Sequence, residues 1–274
     1  MVRTQPMPLP GEVRRRRMLS LIEERGFVRV ADLSDTFGVS EVTTRSDLDQ
    51  LAEASLVERV HGGAMALSSS PTGAASYEDN EPSFEESADT LADEKIAIGR
   101  SAASLVSNGD SVIIDVGTTA NALARALVER TDLTEVVIFT NGLPIAMQLE
   151  PAIPRFTVIL TGGTLRPKQH SLVNPMGVGI FDQINVATAF IGCNGIHPDE
   201  GLTNINLPEA QIKSRMIGAA QRTVVLADGT KVGKVSVARF AHTGEADHLI
   251  TTDSAPSETL DQIRDMGVET TVAS

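Results

Sequence analysis

The stretch Ala31-Asp32-Leu33-Ser34-Asp35-Thr36-Phe37-Gly38-Val39-Ser40-Glu41-Val42-Thr43-Thr44-Arg45-Ser46-Asp47-Leu48 decides how the N-terminal part of the chain folds. Ala31–Phe37 reads as a short helix stopped at Gly38, a residue type that accepts the left-handed conformation of a helix end. Val39 can plug the angle between two helices, and Ser40 is a helix N-cap. Glu41–Ala54 reads as a longer helix with Val42, Leu48 and Leu51 on its apolar side. Short helix, glycine turn, capped second helix is the helix-turn-helix pattern, although a bare helical hairpin has the same short signature. Ser40, Thr43, Thr44, Arg45 and Ser46 lie at the N-terminal end of the second helix, where side chains reach base edges.

Outward from that core the pattern grows. Upstream, Glu12–Arg25 has Val13, Met18, Leu21 and Ile22 at mostly helical spacing and ends at Gly26. Arg14-Arg15-Arg16-Arg17 opens this helix; Arg14 and Arg15 are candidate DNA contacts, and a solvated face is the plainer alternative. Downstream, Leu56–Val60 and Ala64–Leu67 read as two short strands around the turn His61-Gly62-Gly63. A β-hairpin behind a recognition helix is a wing, with Arg59 and His61 placed to meet phosphates or the minor groove.

The chain has 274 residues, enough for about two domains at ~100–200 residues each. With no Trp and one Tyr, its core has to be built from aliphatic residues. The net charge of −13 argues at first against a polyanionic partner. Its distribution changes that reading. Residues 1–67 hold 9 Arg against 10 acids, whereas residues 68–94 hold 8 acids and no base. The acidic stretch opens with Ser68-Ser69-Ser70-Pro71-Thr72-Gly73, so 68–90 reads as a linker between a head (12–67) and a larger domain (91–274). The single cysteine, Cys193, fits a reducing cytosol, and a cytoplasmic location is expected. No apolar run of about eighteen residues predicts a membrane span, and residues 1–11 lack the apolar centre of a signal peptide. The five histidines are scattered, so no metal site and no cofactor are expected.

Beyond the linker, strands and helices alternate. Strands are expected at Ser111–Asp115, Val136–Thr140, Phe156–Leu160, Ala187–Ile191, Thr223–Ala227 and His248–Thr251. Helices are expected at 92–106, from Gly117 to Val128, after Pro144 and at Pro208–Ala220. This is an α/β domain with a mostly parallel sheet. Several strands end in small or polar clusters, which converge on a ligand crevice in such sheets. Asp115-x-Gly117-Thr118-Thr119 leads straight into a helix, whose free N–H groups and dipole suit a phosphate. A plain strand–helix turn has the same look, as do Asn141-Gly142 and Gly162-Gly163; together the three loops point to an anion-binding crevice. Arg166, Lys168, Lys213, Lys231 and Lys234 are candidate counter-charges, and Asp115, Glu209, Lys213 and Asp228 could supply acid–base groups. No loop matches the ATPase phosphate loop or the dinucleotide fingerprint. Cys193 reads as a small buried residue rather than a nucleophile.

Two sets of residues resemble the DeoR family of bacterial regulators. In the head they are Val39-Ser40-x-x-Thr43-x-Arg45-x-Asp47-Leu48-x-x-Leu51 and Arg59-Val60-His61-Gly62-Gly63-Ala64. In the larger domain they are Glu94-Lys95-x-x-Ile98, Asp115-x-Gly117-Thr118-Thr119, Thr140-Asn141-Gly142, Thr161-Gly162-Gly163, Phe190-Ile191-Gly192-x-x-Gly195, Gly201-Leu202-Thr203 and Ala227-Asp228-x-x-Lys231-x-Gly233. Three departures stand out: Ser46 replaces an arginine common in the recognition helix, Cys193-Asn194-Gly195 replaces Ala-Asp-Gly, and Asn174 replaces a glycine before the Pro of the Ser-Leu-Val segment. The resemblance implies a winged helix-turn-helix joined to a sensor domain similar to ribose-5-phosphate isomerase. It implies a repressor of a sugar-catabolism operon, working as a homodimer or homotetramer on operator DNA and released by a phosphorylated sugar. Asp115, Gly117, Thr118, Thr119, Asn141, Gly142, Gly162, Gly163, Arg166, Glu209, Lys213, Asp228 and Lys231 are then expected at the effector. An isomerase-like enzyme carrying a DNA-binding head is the alternative.

Overall fold

The computed structural model describes residues 11–25, 27–53, 56–60, 63–66, 81–173 and 177–274, and the chain divides into two compact units between residues 80 and 81. In the first unit, α1 (Gly11–Arg25), β1 (Phe27–Arg29), α2 (Val30–Phe37) and α3 (Glu41–Glu53) precede the antiparallel strands β2 (Val57–Val60) and β3 (Gly63–Ala66). β3 lies between β1 and β2, with Val28 opposite Ala64 and Val57 opposite Ala66. Met18, Ile22, Val28, Leu33, Leu48, Leu51 and Val57 form the core of this unit.

The turn between α2 and α3 is built as its residues require. Gly38 caps α2 in the left-handed region (φ 62, ψ 36), which a side chain would disfavour. The Ser34 hydroxyl donates to the Val39 carbonyl at 2.6 Å, and Ser40 Oγ accepts the Thr43 N–H at 3.2 Å. The facing of α3 differs from expectation. Val42, placed on the apolar side by the sequence, is 78% exposed, whereas Thr44 is completely buried. The helical period gives the reason: at about 100° per residue, Thr44, Leu48 and Leu51 share a face and Val42 lies opposite Leu51.

The second unit begins with α4 (Phe84–Asp89) and α5 (Ala92–Ala103). It continues through β4 (Ser111–Ile114), α6 (Thr118–Glu129), β5 (Val136–Thr140), α7 (Leu143–Leu149), β6 (Phe156–Leu160), and the short pair β7 (Thr164–Arg166) and β8 (Ser171–Val173). Then come β9 (Val186–Gly192), β10 (Gly195–His197), β11 (Gly201–Asn204), α8 (Leu207–Gly218), β12 (Ala220–Leu226), β13 (Ala238–Ala241), β14 (His248–Thr251), α9 (Ser257–Asp265) and β15 (Glu269–Val272). Seven strands form one parallel sheet in the order β15-β14-β12-β9-β4-β5-β6. Alternate residues feed two cores. Val112, Ile114, Phe190 and Leu226 pack beneath α5, α6 and α7, while Ile113, Ala189, Ile191 and Val225 pack with Ile212 and Met216 of α8 and Ile263 of α9.

Three features depart from the sequence reading. The stretch expected as linker at 68–90 is shorter, because Glu81 and α4 belong to the second unit. Three of its acids have partners: Glu81 pairs with Arg166, Glu85 with His170, and Glu86 forms a reciprocal capping box with Ser83. The helix expected to run to Ala220 stops at Gly218, and Ala220 opens β12. The unit also holds antiparallel pieces in sheets of their own: the β7–β8 pair and a three-stranded sheet β10-β11-β13.

Candidate functional site

The first unit presents a polar helix face. Arg45 has 59% of its side chain exposed and makes only a surface pair with Glu41, at 3.2 Å. Ser46 and Asp49 lie on the same outward stripe, together with Val42. Thr44 is absent from that stripe: its hydroxyl donates to the Ser40 carbonyl at 3.2 Å inside the core. Thr43 and Ser40 share a hydroxyl hydrogen bond at 2.9 Å at the helix start. Arg14, expected to touch DNA, is 11% exposed, and its guanidinium grips Asp47 through Nε at 2.6 Å and Nη2 at 3.2 Å. Arg15 adds a 3.3 Å contact to the same carboxylate. Both arginines therefore tie α1 to α3, and the Asp47 hydrogen bond holds the Arg14 guanidinium above its ordinary value. The Arg59 side chain and His61, the two wing candidates, lie outside the described residues.

In the second unit the strand order reverses direction between β4 and β9, and a cavity of about 340 Å³ opens at their C-terminal ends. Gly117, Thr118 and Thr119 form one wall at the start of α6. Gly117 has φ 130, ψ 164, a conformation closed to ordinary side chains, so the tight entry to this helix depends on glycine. An α-helix leaves the N–H groups of its first turn without helical partners, and the first turn of α6 lies at this end of the site. Thr119 Oγ1 is buried without a partner.

Behind that wall lies a buried ion pair. Lys213 of α8 donates to Asp115 and, at 3.1 Å, to the Gly192 carbonyl. Gly192 N–H donates to the same Asp115 oxygen at 3.0 Å, and the second oxygen, Oδ1, has no partner. Burial pulls the Lys213 ammonium down, but the charges of Asp115 and Glu209 outweigh it and the net shift is upward. Burial lifts the Asp115 carboxyl against the pull of Lys213. On the far side, Lys231 stands 3.5 Å from Asp228. Burial raises the Asp228 carboxyl, yet Lys231 and the Thr230 hydrogen bond carry it below the usual carboxylate range.

The chain between residues 81 and 91 supplies a further wall, through Glu81, Pro82, Glu86, Ser87, Thr90 and Leu91. No residue of α4 is buried, and polar contacts hold the wall in place. Lys95 donates to the Ser87 carbonyl and, at 2.7 Å, to that of Thr90; Phe84 N–H donates to the Lys168 carbonyl at 2.8 Å; Gln169 donates to Pro82 O at 2.7 Å. Burial, followed by the charge of Lys231, lowers the Lys95 ammonium. Arg166 bridges Glu81 to Glu209, whose other partners are Ser171 and Asn204. Among the described residues no cluster of His, Cys, Asp and Glu could hold a metal ion.

Both halves match known proteins. A DeoR-like helix-turn-helix domain matches residues 14–70, and a DeoR C terminal sensor domain matches residues 90–253. The chain belongs to the DeoR family of DNA-binding transcriptional regulators. The HTH-type transcriptional regulator GolR of Listeria innocua is 31% identical over 260 residues, covering 95% of this chain and 98% of that protein. The glycerol-3-phosphate regulon repressor of Escherichia coli is 30% identical over 246 residues, covering 90% of this chain and 92% of its own. Ribose 5-phosphate isomerase A from Methanocaldococcus jannaschii aligns with 53% of this chain and 56% of its own, with a TM-score of 0.39 and 22% identity.

In this DeoR-family chain, one of the three expected loops reaches the cavity. Gly117, Thr118, Thr119, Glu209, Lys213, Asp228 and Lys231 line it, with Asp115 directly behind Lys213. Asn141 and Gly142 do not line it. They hold the β7–β8 pair, through Leu172 N–H to the Asn141 carbonyl at 2.8 Å and a bridge between Gly142 and Ser171. Gly162 and Gly163 also lie outside the lining and lead into β7. Arg166 acts behind the wall, as a bridge. The sequence reading missed Glu81, Glu86, Ser87 and Thr90, because an acidic run beside a Ser/Pro/Gly tract has linker composition. It also missed Asn204, whose amide bonds Glu209. Cys193 does line the cavity, and burial pushes its thiol up to about 11, which keeps it protonated and a poor nucleophile.

Proposed function

We propose that this regulator is a repressor of a sugar-catabolism operon, and that a phosphorylated sugar filling the cavity lowers its affinity for operator DNA. The observation carrying the reading is one cavity that combines a helix N-terminus, at Gly117-Thr118-Thr119, with buried ammonium groups at Lys213 and Lys95. Donors of that kind, beside hydrogen-bonding groups such as Asn194, Asn204 and Asp228, suit a phosphate with a polar body. The relative from Escherichia coli is named for a regulon of glycerol 3-phosphate, a compound of that chemistry. Arg45, Ser46 and Thr43 would read base edges in the major groove, and exposed Val42 can meet a thymine methyl. One winged head covers a half-site, so a homodimer or homotetramer is the working form. Release requires the ligand to bind the DNA-free arrangement more tightly than the DNA-bound one.

A gel shift with the DNA upstream of the protein's own coding sequence tests this, repeated with glycerol 3-phosphate, fructose 1-phosphate, fructose 6-phosphate and ribose 5-phosphate. The expected result is a complex at low salt that one of these dissolves. A complex that no sugar phosphate disturbs rejects the effector class, and activation of transcription from that promoter rejects the repressor role.

A further inference from the structure

Asn194 occupies the turn between β9 and β10 and lines the cavity. Two hydrogen bonds fix it. Its backbone N–H donates to the Thr203 carbonyl at 3.0 Å, and its side-chain Oδ1 accepts the Ile205 N–H at 2.9 Å. The second bond also settles the orientation of the amide, since a backbone N–H can meet only the oxygen. The Nδ2 group, with two donors, has no protein partner among the described residues. Several polar groups of the lining already have protein partners. Lys213 is bound to Asp115 and Gly192 O, Lys95 to two carbonyls, and the Asn204 amide to Glu209 and Asn206 O. Both oxygens of Glu209 and both of Asp228 already face protein donors.

We infer that Asn194 sets effector specificity by offering a donor, and that the effector presents a carbonyl or carboxylate oxygen to its Nδ2. This rests on the sugar-phosphate reading above. A carbonyl or carboxylate oxygen accepts from the amide and brings no proton of its own. A hydroxyl at the same point also accepts, but its proton then needs an acceptor of its own, and the oxygens of Glu209 and Asp228 already hold protein donors. Leaving a polar group unpaired in a partly desolvated site is what makes discrimination large. An aspartate at this position would keep one oxygen for the Ile205 N–H and turn the other toward the ligand as an acceptor, reversing the choice.

The test is isothermal titration of the full-length protein and of Asn194→Asp with two matched pairs. The first is dihydroxyacetone phosphate against glycerol 3-phosphate, and the second is 6-phosphogluconate against glucitol 6-phosphate. In the wild-type protein the oxidised member of at least one pair is expected to bind about tenfold tighter or more. In Asn194→Asp that ratio should fall by about tenfold or more, with the oxidised member losing affinity. The wild-type preference needs no substitution, so it stands as evidence even if the variant folds poorly. A wild-type preference for the hydroxyl member, or a ratio unchanged by the substitution, overturns the role of Asn194 while the sugar-phosphate reading survives. Binding of none of the four overturns both.

Discussion

Asp47 shows how one carboxylate separates two kinds of arginine. It is buried at the contact of α1 with α3, and Arg14 and Arg15 close on it. From the sequence Arg14 and Arg15, in the run at positions 14–17, are candidate DNA contacts; folded, both cross-link helices. Arg45, by contrast, is held only by an exposed pair with Glu41. Breaking a buried, hydrogen-bonded pair is costly, while a surface pair contributes little. Arg14→Ala is therefore expected to destabilise the head by about 2–3 kcal/mol in urea unfolding. Arg45→Ala should stay within about 0.5 kcal/mol of the parent yet lose sequence-specific binding in a gel shift with competitor DNA. An unaltered unfolding midpoint for Arg14→Ala would show that Asp47 is not its main partner. A carboxylate repels phosphate, so the residue type alone makes Asp47 a structural partner rather than a DNA contact. The burial of Thr44 was equally available, and was obscured by treating exposed Val42 as part of the core stripe.

At the scale of elements, α5 and α6 cross so closely that a Cβ on Gly99 would lie 2.5 Å from the backbone of Ala122. Backbone cannot yield as a side-chain tip can. Gly99→Val should cost about 1–3 kcal/mol of stability in the second unit by overpacking, read as a lower urea midpoint. The edge of the sheet carries a pH-sensitive joint. His248 on β14 accepts from Arg222 of β12 at 3.2 Å through Nδ1, so its Nε2–H donates to Thr271 of β15 at 2.8 Å, and the ring is neutral. Burial lowers its pKa below the ordinary 6.5, against the pull of Glu269. The unfolded chain therefore binds more protons in this range, and stability declines as pH falls from about 6.5 towards the folded value. Thermal melts should show that decline, and His248→Gln should flatten it. An equal slope in both proteins would assign the effect elsewhere. The parallel strands were legible as apolar runs ending in small or polar clusters. The β7–β8 pair and the β10-β11-β13 sheet were not, since three- and four-residue strands have too few alternations to show a period.

For the whole molecule, the placing of charge matters more than its total. The acidic stretch that looked like a solvated tether divides at residue 80, and beyond it Glu81, Glu85 and Glu94 are partners of Arg166, His170 and Thr252. Linker composition and a polar wall of a ligand cavity look alike in sequence, because both lack apolar periodicity; only the cations they meet, more than eighty residues away in the case of Arg166, tell them apart. The sheet imposes a comparable long reach. β4 pairs with β9, so that Val112 stands beside Thr188, and β9 in turn pairs with β12. A chain stopped after Gln183 lacks both partners and leaves the centre of the sheet as an open apolar edge; it is expected to aggregate, read as loss from the supernatant on centrifugation. During synthesis the order is fixed. The head, whose contacts are local, leaves the ribosome and can close before the sensor has the strands it needs. Each newly made molecule is thus expected to pass through an interval in which its DNA-binding part can fold while its second unit still lacks the centre of its sheet, and mutations that slow sheet closure would lengthen that interval.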